Sequence, residues 1–235
     1  MRLTALRIAK KNLVEGYHNK SIFYSIFFPA IFLLIAMQLD ASNLSTLVGL
    51  AFVFGSLDDA LLSLSRERDS RTLAKLFLSP VSRWSITGGR ILSSLLLGAL
   101  KATLVAAILY FDNYFIGPNS YIHLALYYVP SSLIILLTVL IGLTCSVLFR
   151  DFRLTVLLAS SVIFLFVIPS SFQPILQDNS NIINQYNPFW LCYQMFDKLV
   201  NIETIYSLEQ YFLLISAWII GLFLIANGVM RRKIA

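Results

Sequence analysis

Three charged side chains fall inside otherwise apolar stretches of the chain, and their positions suggest chemistry more than any others do. Asp58 and Asp59 lie in one stretch and Lys101 lies in the next. A charge at such a depth in a membrane is costly, and it usually serves an ion, proton or substrate. Because adjacent residues on a helix point about 100° apart, the two aspartates cannot share a proton as an aspartyl protease dyad does.

A structural role is the alternative for each of these charges. One aspartate can pair with Arg90, or with another base at the cytoplasmic edge, while the other aspartate faces water. Lys101 can extend toward the interface, pair with Asp59, or bind an anionic group of a substrate. The sequence leaves these roles open, and Asp58, Asp59 and Lys101 remain candidates for a substrate pathway.

No catalytic signature accompanies the charges. The sequence has no GxxxxGK[ST] phosphate loop, no HExxH, no GxSxG and no cluster of Cys and His ligands. Cys145 and Cys192 are expected to be small apolar residues in packed surroundings. We therefore expect a protein that is not an enzyme, binds no metal or cofactor itself, and cannot hydrolyse ATP alone.

The elements that position these residues are predicted to be membrane helices. Hydrophobic residues make up 58% of the 235 residues and charged residues only 13%, which is too apolar for a soluble domain of this size. Six apolar windows are each long enough to cross a bilayer, and none alternates with the period of a barrel strand. The windows are Ser21–Leu39, Leu44–Leu64, Ile91–Tyr110, Tyr121–Phe149, Leu154–Gln177 and Gln210–Met230. The predicted fold is an all-α polytopic membrane protein with six transmembrane helices.

The distribution of basic residues predicts the orientation of these helices. Of the 18 Lys and Arg residues, all but Lys101 and Lys198 fall in segments on one side of the six windows. Since basic loops stay in the cytoplasm, both termini and the second and fourth connections are predicted to be cytoplasmic. The net charge of +6 is then explained by this bias and by anionic lipids, and no nucleic acid is implied.

Two further segments are predicted to lie at the membrane surface without crossing it. In segment 1–19 the apolar residues recur with helical spacing, which is typical of an interfacial helix. These residues are Leu3, Leu6, Ala9, Leu13 and Tyr17. Segment 169–209 is predicted to be external, and its apolar parts, Phe172–Leu176 and Pro188–Val200, are too short to span. We expect short re-entrant or interfacial helices there. Asn187 would cap the second of them and Pro188 would be its first residue.

A polar, basic stretch separates the second and third windows. Residues 65–79 predict a short cytoplasmic helix with an apolar face of Leu73, Leu76 and Phe77, and Ser79-Pro80 ends it. Glu67 and Asp69 are not explained by the bias toward basic cytoplasmic loops. A short amphipathic helix between two spans can fit a groove on a soluble partner.

This stretch also resembles a known family. The sequence ERDSRTLAKLFLSPVSRWSITGGRIL is similar to the pattern E-R-E-x-G-T-L-E-x-L-L-x-[ST]-P-[VIL]-[ST]-R…G-[RK]-[IVL] of ABC-2 type permeases, the membrane subunits of ABC exporters. The matching residues are Glu67, Asp69, Thr72, Leu73, Leu76, Ser79, Pro80, Ser82, Arg83, Gly89 and Arg90. Tyr186–Trp190 is similar to the Asn-Pro stretch that the family carries before its last span, and the overall plan agrees across the chain. The sequence departs from the pattern at Arg71 and Ala74.

The resemblance implies one permease domain over residues 1–235 and a function in transport. Such a permease dimerises, with itself or a paralogue, in the cell membrane and docks on an ATP-binding cassette subunit, which binds ATP and Mg²⁺. Residues 65–79 would be the coupling helix that contacts this ATPase. The implied contact residues are Glu67, Arg68, Asp69, Arg71, Thr72, Leu73, Leu76 and Phe77. The implied activity is export of a hydrophobic or amphipathic substrate, such as a drug, lipid, glycolipid or peptide.

An ATP-independent secondary transporter or channel is the alternative. In that case Asp58, Asp59 and Lys101 would form its ion or proton site. Transporters of that class often contain inverted repeats with broken spans in matching halves. No internal repeat is evident in this sequence.

Overall fold

Long runs of apolar residues with few helix breakers form helices throughout the part of the chain that the structure describes. The structure is a computed structural model. It describes residues 2–18, 21–38, 47–56, 83–111, 120–149, 151–176, 186–200 and 208–234. Within these ranges all regular secondary structure is α-helical and no strand occurs, so the predicted all-α class is confirmed there. The helices are α1 Arg2–His18, α2 Ser21–Gln38, α3 Leu47–Ser56, α4 Arg83–Phe111, α5 Ser120–Leu148, α6 Phe152–Leu176, α7 Pro188–Val200 and α8 Leu208–Ile234.

Each predicted membrane window overlaps one of these helices. Three helices are long and apolar enough on their own to cross a membrane, namely Trp84–Phe111, Ala125–Leu148 and Glu209–Val229. Helices α1 and α2, whose axes are bent by 74°, pass the same test only as a pair. Over the described residues there are therefore three or four candidate spans, and six spans remain a prediction.

Helix α5 is the centre of the described bundle. It contacts α4, α6, α7 and α8, and 83% of its most apolar window is buried inside the protein. Helix α8 lies at the periphery, where only 17% of the equivalent window is buried. Its outward face carries exposed large apolar side chains, including Phe212, Leu213 and Leu224. Such a surface is compatible with lipid as its solvent.

Helix α1 packs across the first turns of α4 through small residues. A Cβ atom on Gly89 would lie 2.8 Å from the Ala5 carbonyl oxygen and 2.8 Å from Ile8 Cβ, so glycine allows the two backbones to approach closely. Asn12 Nδ2 donates a hydrogen bond to Ser93 Oγ at 3.4 Å in the same interface. The Gly89 position of the sequence motif is thus a helix-crossing point.

The buried face of α1 differs from the apolar stripe that the sequence predicts. Ile8 and Ala9 are buried, whereas Leu6 is 56% exposed and Tyr17 is 60% exposed. Leu6 and Tyr17 of the stripe therefore point away from the protein, whereas Ala9 of the same stripe is buried. Apolar periodicity identifies a helix in a lipid environment, but it does not tell which side faces protein.

Helix α6 extends further than the predicted boundary at Pro169. It continues to Leu176, so Phe172–Leu176 is continuous with α6 and does not form a separate short helix. Membrane helices tolerate an internal proline when neighbouring groups satisfy the freed carbonyl. The second predicted short helix is observed with the predicted bounds, as α7 Pro188–Val200.

Candidate functional site

Most residues that the sequence associates with coupling lie outside the described residues. Segment 65–79, with all eight predicted ATPase contacts from Glu67 to Phe77, falls between α3 and α4 in the chain. Asp58 and Asp59 fall in the same gap, so the roles of all these residues remain predictions. Lys101, Asn187 and Pro188 are described, and they lie in two separate buried clusters.

Lys101 is completely buried, with 0% of its side chain exposed. Its ammonium Nζ donates a hydrogen bond of 2.5 Å to the carbonyl oxygen of Gly55. A buried ammonium requires acceptors, because an unpaired charge in an apolar medium costs far more than a neutral polar group. Hydrogen bonds from a charged donor are shorter and stronger than neutral ones. This bond therefore ties the interior of α4 to α3.

A second side chain, from α2, donates to the same carbonyl. Ser25 Oγ lies 3.2 Å from the Gly55 oxygen, so three helices meet at one acceptor. Pro29 lies inside α2 and has no N–H, which removes the usual helical partner of the Ser25 carbonyl. A Cβ on Gly55 would lie only 2.5 Å from Pro29 Cγ. We refer to Ser25, Pro29, Gly55 and Lys101 as the Gly55 clasp.

A second buried cation lies on the same side of α4. Arg90 is 2% exposed and precedes Lys101 by eleven residues, which is close to three helical turns. Ser94, between them, is also buried. The two cations and the serine form a polar face that α4 turns toward the protein, as expected for charged residues within a membrane bundle.

The start of α4 is also fastened to the end of α8. Thr87 Oγ1 donates to Asn227 Oδ1 at 3.3 Å, and both residues are buried. Trp84 packs against Phe223 with ring centroids 5.2 Å apart. The first two turns of α4, which follow the predicted coupling segment 65–79 in the sequence, therefore contact both α1 and α8.

Asn187 organises the second cluster by capping α7. Its Oδ1 accepts hydrogen bonds from the backbone N–H of Phe189 at 3.0 Å and of Trp190 at 3.4 Å. Pro188 is the first helical residue, where its missing N–H has no cost. The predicted cap and first residue of this helix are therefore confirmed.

Two hydrogen bonds fix the start of α7 against the middle of its neighbours. Asn187 Nδ2 donates to the Phe166 carbonyl of α6 at 2.7 Å. Trp218 Nε1 of α8 donates to the Tyr186 carbonyl at 2.9 Å. Phe166 and Trp218 also contact each other edge to face, with centroids 5.9 Å apart. Phe166 lies about 15 Å along the helix axis before the end of α6. Trp218 lies about 15 Å along the axis after the start of α8.

The other end of α7 lies nearer to the start of α8. Lys198 Nζ is 5.3 Å from the centre of the Tyr211 ring, a cation–π contact. From Trp218 to Tyr211 the α8 axis rises by about 10 Å. Helix α7 therefore begins beside the middle of α8 and runs back toward its first turns.

Aromatic side chains pack α7 onto α3 and α5. Phe196 stacks on Phe52 with centroids 6.2 Å apart and lies 5.4 Å from the Tyr127 ring. A Cβ on Gly49 would overlap the Tyr193 ring. All four aromatic residues are buried. The sequence shows α7 as apolar, but only the fold reveals that its partner is the helix that leads into the predicted coupling segment.

No set of three or more His, Cys, Asp or Glu residues in the described ranges could hold a metal ion. Cys145 and Cys192 are buried free thiols, in agreement with their prediction as packed residues. The observed clusters instead connect helices, with polar atoms placed where two or three helices meet.

Ser25, Gly55, Phe166 and Trp218 are among the members of these clusters that sequence reasoning missed. Their signals were weak, since a serine four residues before an internal proline and a glycine within an apolar run are common in membrane helices. The carbonyl acceptors Gly55 and Phe166 carry no side-chain signal at all. Their importance arises only from the packing of distant parts of the chain.

Comparison with known proteins agrees with this helical plan. A search of curated proteins found no match. The protein-family model for the membrane region of transporters, described as ABC-2 type transporter, matches residues 8–198. The match begins in α1, includes the Gly55 clasp and Asn187, and ends in α7, so it covers most of the chain. The chain is therefore a membrane protein of the ABC-2 type transporter family.

Proposed function

We propose that this chain is the permease subunit of an ATP-driven ABC exporter. The observation that carries the proposal is the family match over residues 8–198, which implies pairing with an ATP-binding subunit. The sequence has no phosphate-binding loop of its own, so the energy has to come from that partner. The substrate is proposed to be hydrophobic or amphipathic, as the resemblance to ABC-2 type permeases implies.

The ATPase is proposed to dock on residues 65–79. This segment matches the family motif and connects α3 to α4 in the chain. Leu73, Leu76 and Phe77 would insert into a groove of the ATPase, while Glu67 and Asp69 would meet basic groups there. ATP-driven closure of two ATPase subunits would then move two permease subunits, either identical copies or paralogues, around a shared pathway.

Helix α7 is proposed to be a re-entrant element on the outer side of the cell membrane. Its first residue lies beside the middle of α6 and α8, and its end approaches the start of α8. A helix with 13 residues is too short to span. With the termini in the cytoplasm, as the basic residues predict, such a helix would descend from the outside and line the outer end of the pathway.

Reconstitution tests this proposal directly. The permease is co-expressed with an ATP-binding cassette ATPase from the same genome, purified through a tag on the permease, and placed in liposomes. We expect the ATPase to co-purify, ATP hydrolysis to increase with substrates such as amphipathic dyes or lipids, and transport to require ATP. A variant ATPase that binds but cannot hydrolyse ATP is the matched control, and it should abolish transport.

The alternative of an ATP-independent transporter predicts a different result. Transport would then follow an ion or proton gradient in liposomes that contain the permease alone. The bond of Lys101 to the Gly55 carbonyl favours the exporter, because it engages one of the three proposed ion-site residues in contacts between helices. Gradient-driven transport without the ATPase would refute the exporter.

A further inference from the structure

The Lys101–Gly55 hydrogen bond connects the two helices that flank the predicted coupling segment. Gly55 lies in the last described turn of α3, and α4 resumes the described chain at Arg83. Segment 65–79 therefore lies in sequence between the two bonded residues, Gly55 and Lys101. Along the covalent chain, a displacement of that segment reaches the membrane through α3, through α4, or through both together.

The surroundings of the bond resist sliding between these helices. The Gly55 oxygen accepts from Lys101 of α4 and from Ser25 of α2. Gly55 also touches Pro29 so closely that no Cβ fits between them. Because packed interiors move between discrete arrangements and do not deform smoothly, helices α2, α3 and α4 are expected to move as one unit while the clasp is intact.

We propose that Lys101 is a positioning residue that keeps α3 and α4 at a fixed spacing, so that a push on the coupling segment moves α2, α3 and α4 together. The fixed spacing follows from the clasp itself, and its use in transport rests on the proposed function. In this role Lys101 does not bind the substrate. Its Nζ is completely buried and bonded to the backbone of Gly55, in the interior of the helix bundle.

The spacing of α2 and α4, which Ser25 and Lys101 hold through the shared Gly55 oxygen of α3, can be measured on the permease alone. Tyr24 and Leu100 are both exposed and are adjacent in sequence to Ser25 and Lys101. Cysteines introduced at these two positions can carry spin labels, since the native Cys145 and Cys192 are buried. We expect a narrow distance distribution between the labels, broadened by about 2 Å or more in Lys101→Met, the scale of helix shifts at interfaces.

Matched variants separate the clasp from general damage. Lys101→Arg keeps a cationic donor and should restore the narrow distribution. Ser25→Ala removes only the weaker donor and should broaden the distance distribution less than Lys101→Met does. If Lys101→Met does not fold, Ser25→Ala still tests the clasp. Leu109→Met, a buried substitution elsewhere on α4, should change nothing. An unchanged distribution in Lys101→Met, or in Ser25→Ala if only that variant folds, would overturn the proposal.

The consequence for transport is measured on the complex with its ATPase. Lys101→Met should retain the ATPase subunit and its ATP hydrolysis, while the number of substrates moved per ATP falls, because α3 and α4 no longer move together. Lys101→Arg should restore most of this ratio. A raised KM for substrate at an unchanged ratio would overturn the proposal and assign Lys101 to substrate binding. If no ATPase binds the wild type, the proposed function fails, whereas the distance measurement still decides the spacing.

Discussion

The side-chain amide of Asn187 donates to the carbonyl oxygen of Phe166 across 2.7 Å, while its oxygen caps α7. One side chain therefore starts a helix and fastens that start to the middle of α6. The amide satisfies a backbone carbonyl, and the carbonyl fixes the orientation of the amide. This arrangement gives the Asn-Pro stretch of the sequence a physical function, since Asn187 positions a helix that is too short to hold its place alone.

Substitutions of Asn187 should separate its two bonds. Asn187→Asp keeps the capping oxygen but loses the N–H donor, whereas Asn187→Ala loses both. We expect Asn187→Ala to reduce the free energy of unfolding by about 1–3 kcal/mol, from a lost cap and a lost buried hydrogen bond. Asn187→Asp should lower the free energy of unfolding chiefly because the Phe166 carbonyl loses its N–H donor. Thermal unfolding of the purified permease, with Gln194→Ala in the same helix as control, measures both effects. Equal stability of Asn187→Ala and wild type would contradict the anchoring role.

The tight approach of Pro29 to Gly55 predicts the effect of a single methyl group. Gly55→Ala should destabilise the protein by about 1–3 kcal/mol, because overpacking forces neighbouring side chains or backbone to shift. Gly221→Ala on α8 is the control, since a Cβ there meets no atom within 4 Å. The melting temperature of Gly55→Ala should be lower than that of Gly221→Ala. If Gly55→Ala melts no lower than Gly221→Ala, α2 and α3 are not in close contact.

Adjacent glycines in α4 provide a stricter comparison at the α1 crossing. A Cβ on Gly89 would lie 2.8 Å from the Ala5 carbonyl, whereas a Cβ on Gly88 has no atom within 4 Å. Gly89→Ala should push α1 away from α4 and lower stability by about 1–3 kcal/mol. Gly88→Ala should be neutral or slightly stabilising, because alanine favours helix. Cross-linking of cysteines introduced at Asn12 and Ser93 should fall in Gly89→Ala alone, and equal yields in both variants would argue against the crossing.

The orientation of the chain is tested by labelling from each side of the membrane. Single cysteines at Lys75 and Ser180 are predicted to be cytoplasmic and external, respectively, because basic residues cluster on the side of Lys75. A membrane-impermeant thiol reagent added to intact cells should modify Ser180→Cys but not Lys75→Cys until the cells are lysed. Modification of both residues from the same side would refute the six-span arrangement.

The sequence predicted the helices well because composition and periodicity decide them locally. Helix α7 begins at Pro188, as Asn187-Pro188 predicts, and α1, Arg2–His18, lies within the predicted segment 1–19. The family resemblance, drawn from residues 67–90 and 186–190, agrees with the matched family. These features depend on residues close together in the chain, which is why they can be recognised without a fold.

Packing between helices could not be predicted in the same way. In lipid the outer surface is as apolar as the core, so hydrophobicity does not identify the buried face. The stripe on α1 illustrates this, since Leu6 and Tyr17 are exposed while Ile8 and Ala9 are buried. For Lys101 the sequence offered an aspartate, a substrate or the membrane interface as partners. In the structure Lys101 bonds to the backbone carbonyl of Gly55. A backbone acceptor cannot be recognised from the types of side chain in the sequence.

The central claim, that an ATPase drives this permease through residues 65–79, is tested most directly by ATP-dependent transport in Phe77→Asp. The comparison is Ser70→Asp, which adds the same charge to the same stretch at a polar position. Both variants are purified with the ATPase and reconstituted in liposomes. Phe77→Asp should insert normally in the membrane but lose the ATPase subunit and transport, since an apolar anchor is removed from its groove. Ser70→Asp should retain both. Wild-type binding of the ATPase and wild-type transport by Phe77→Asp would contradict the account.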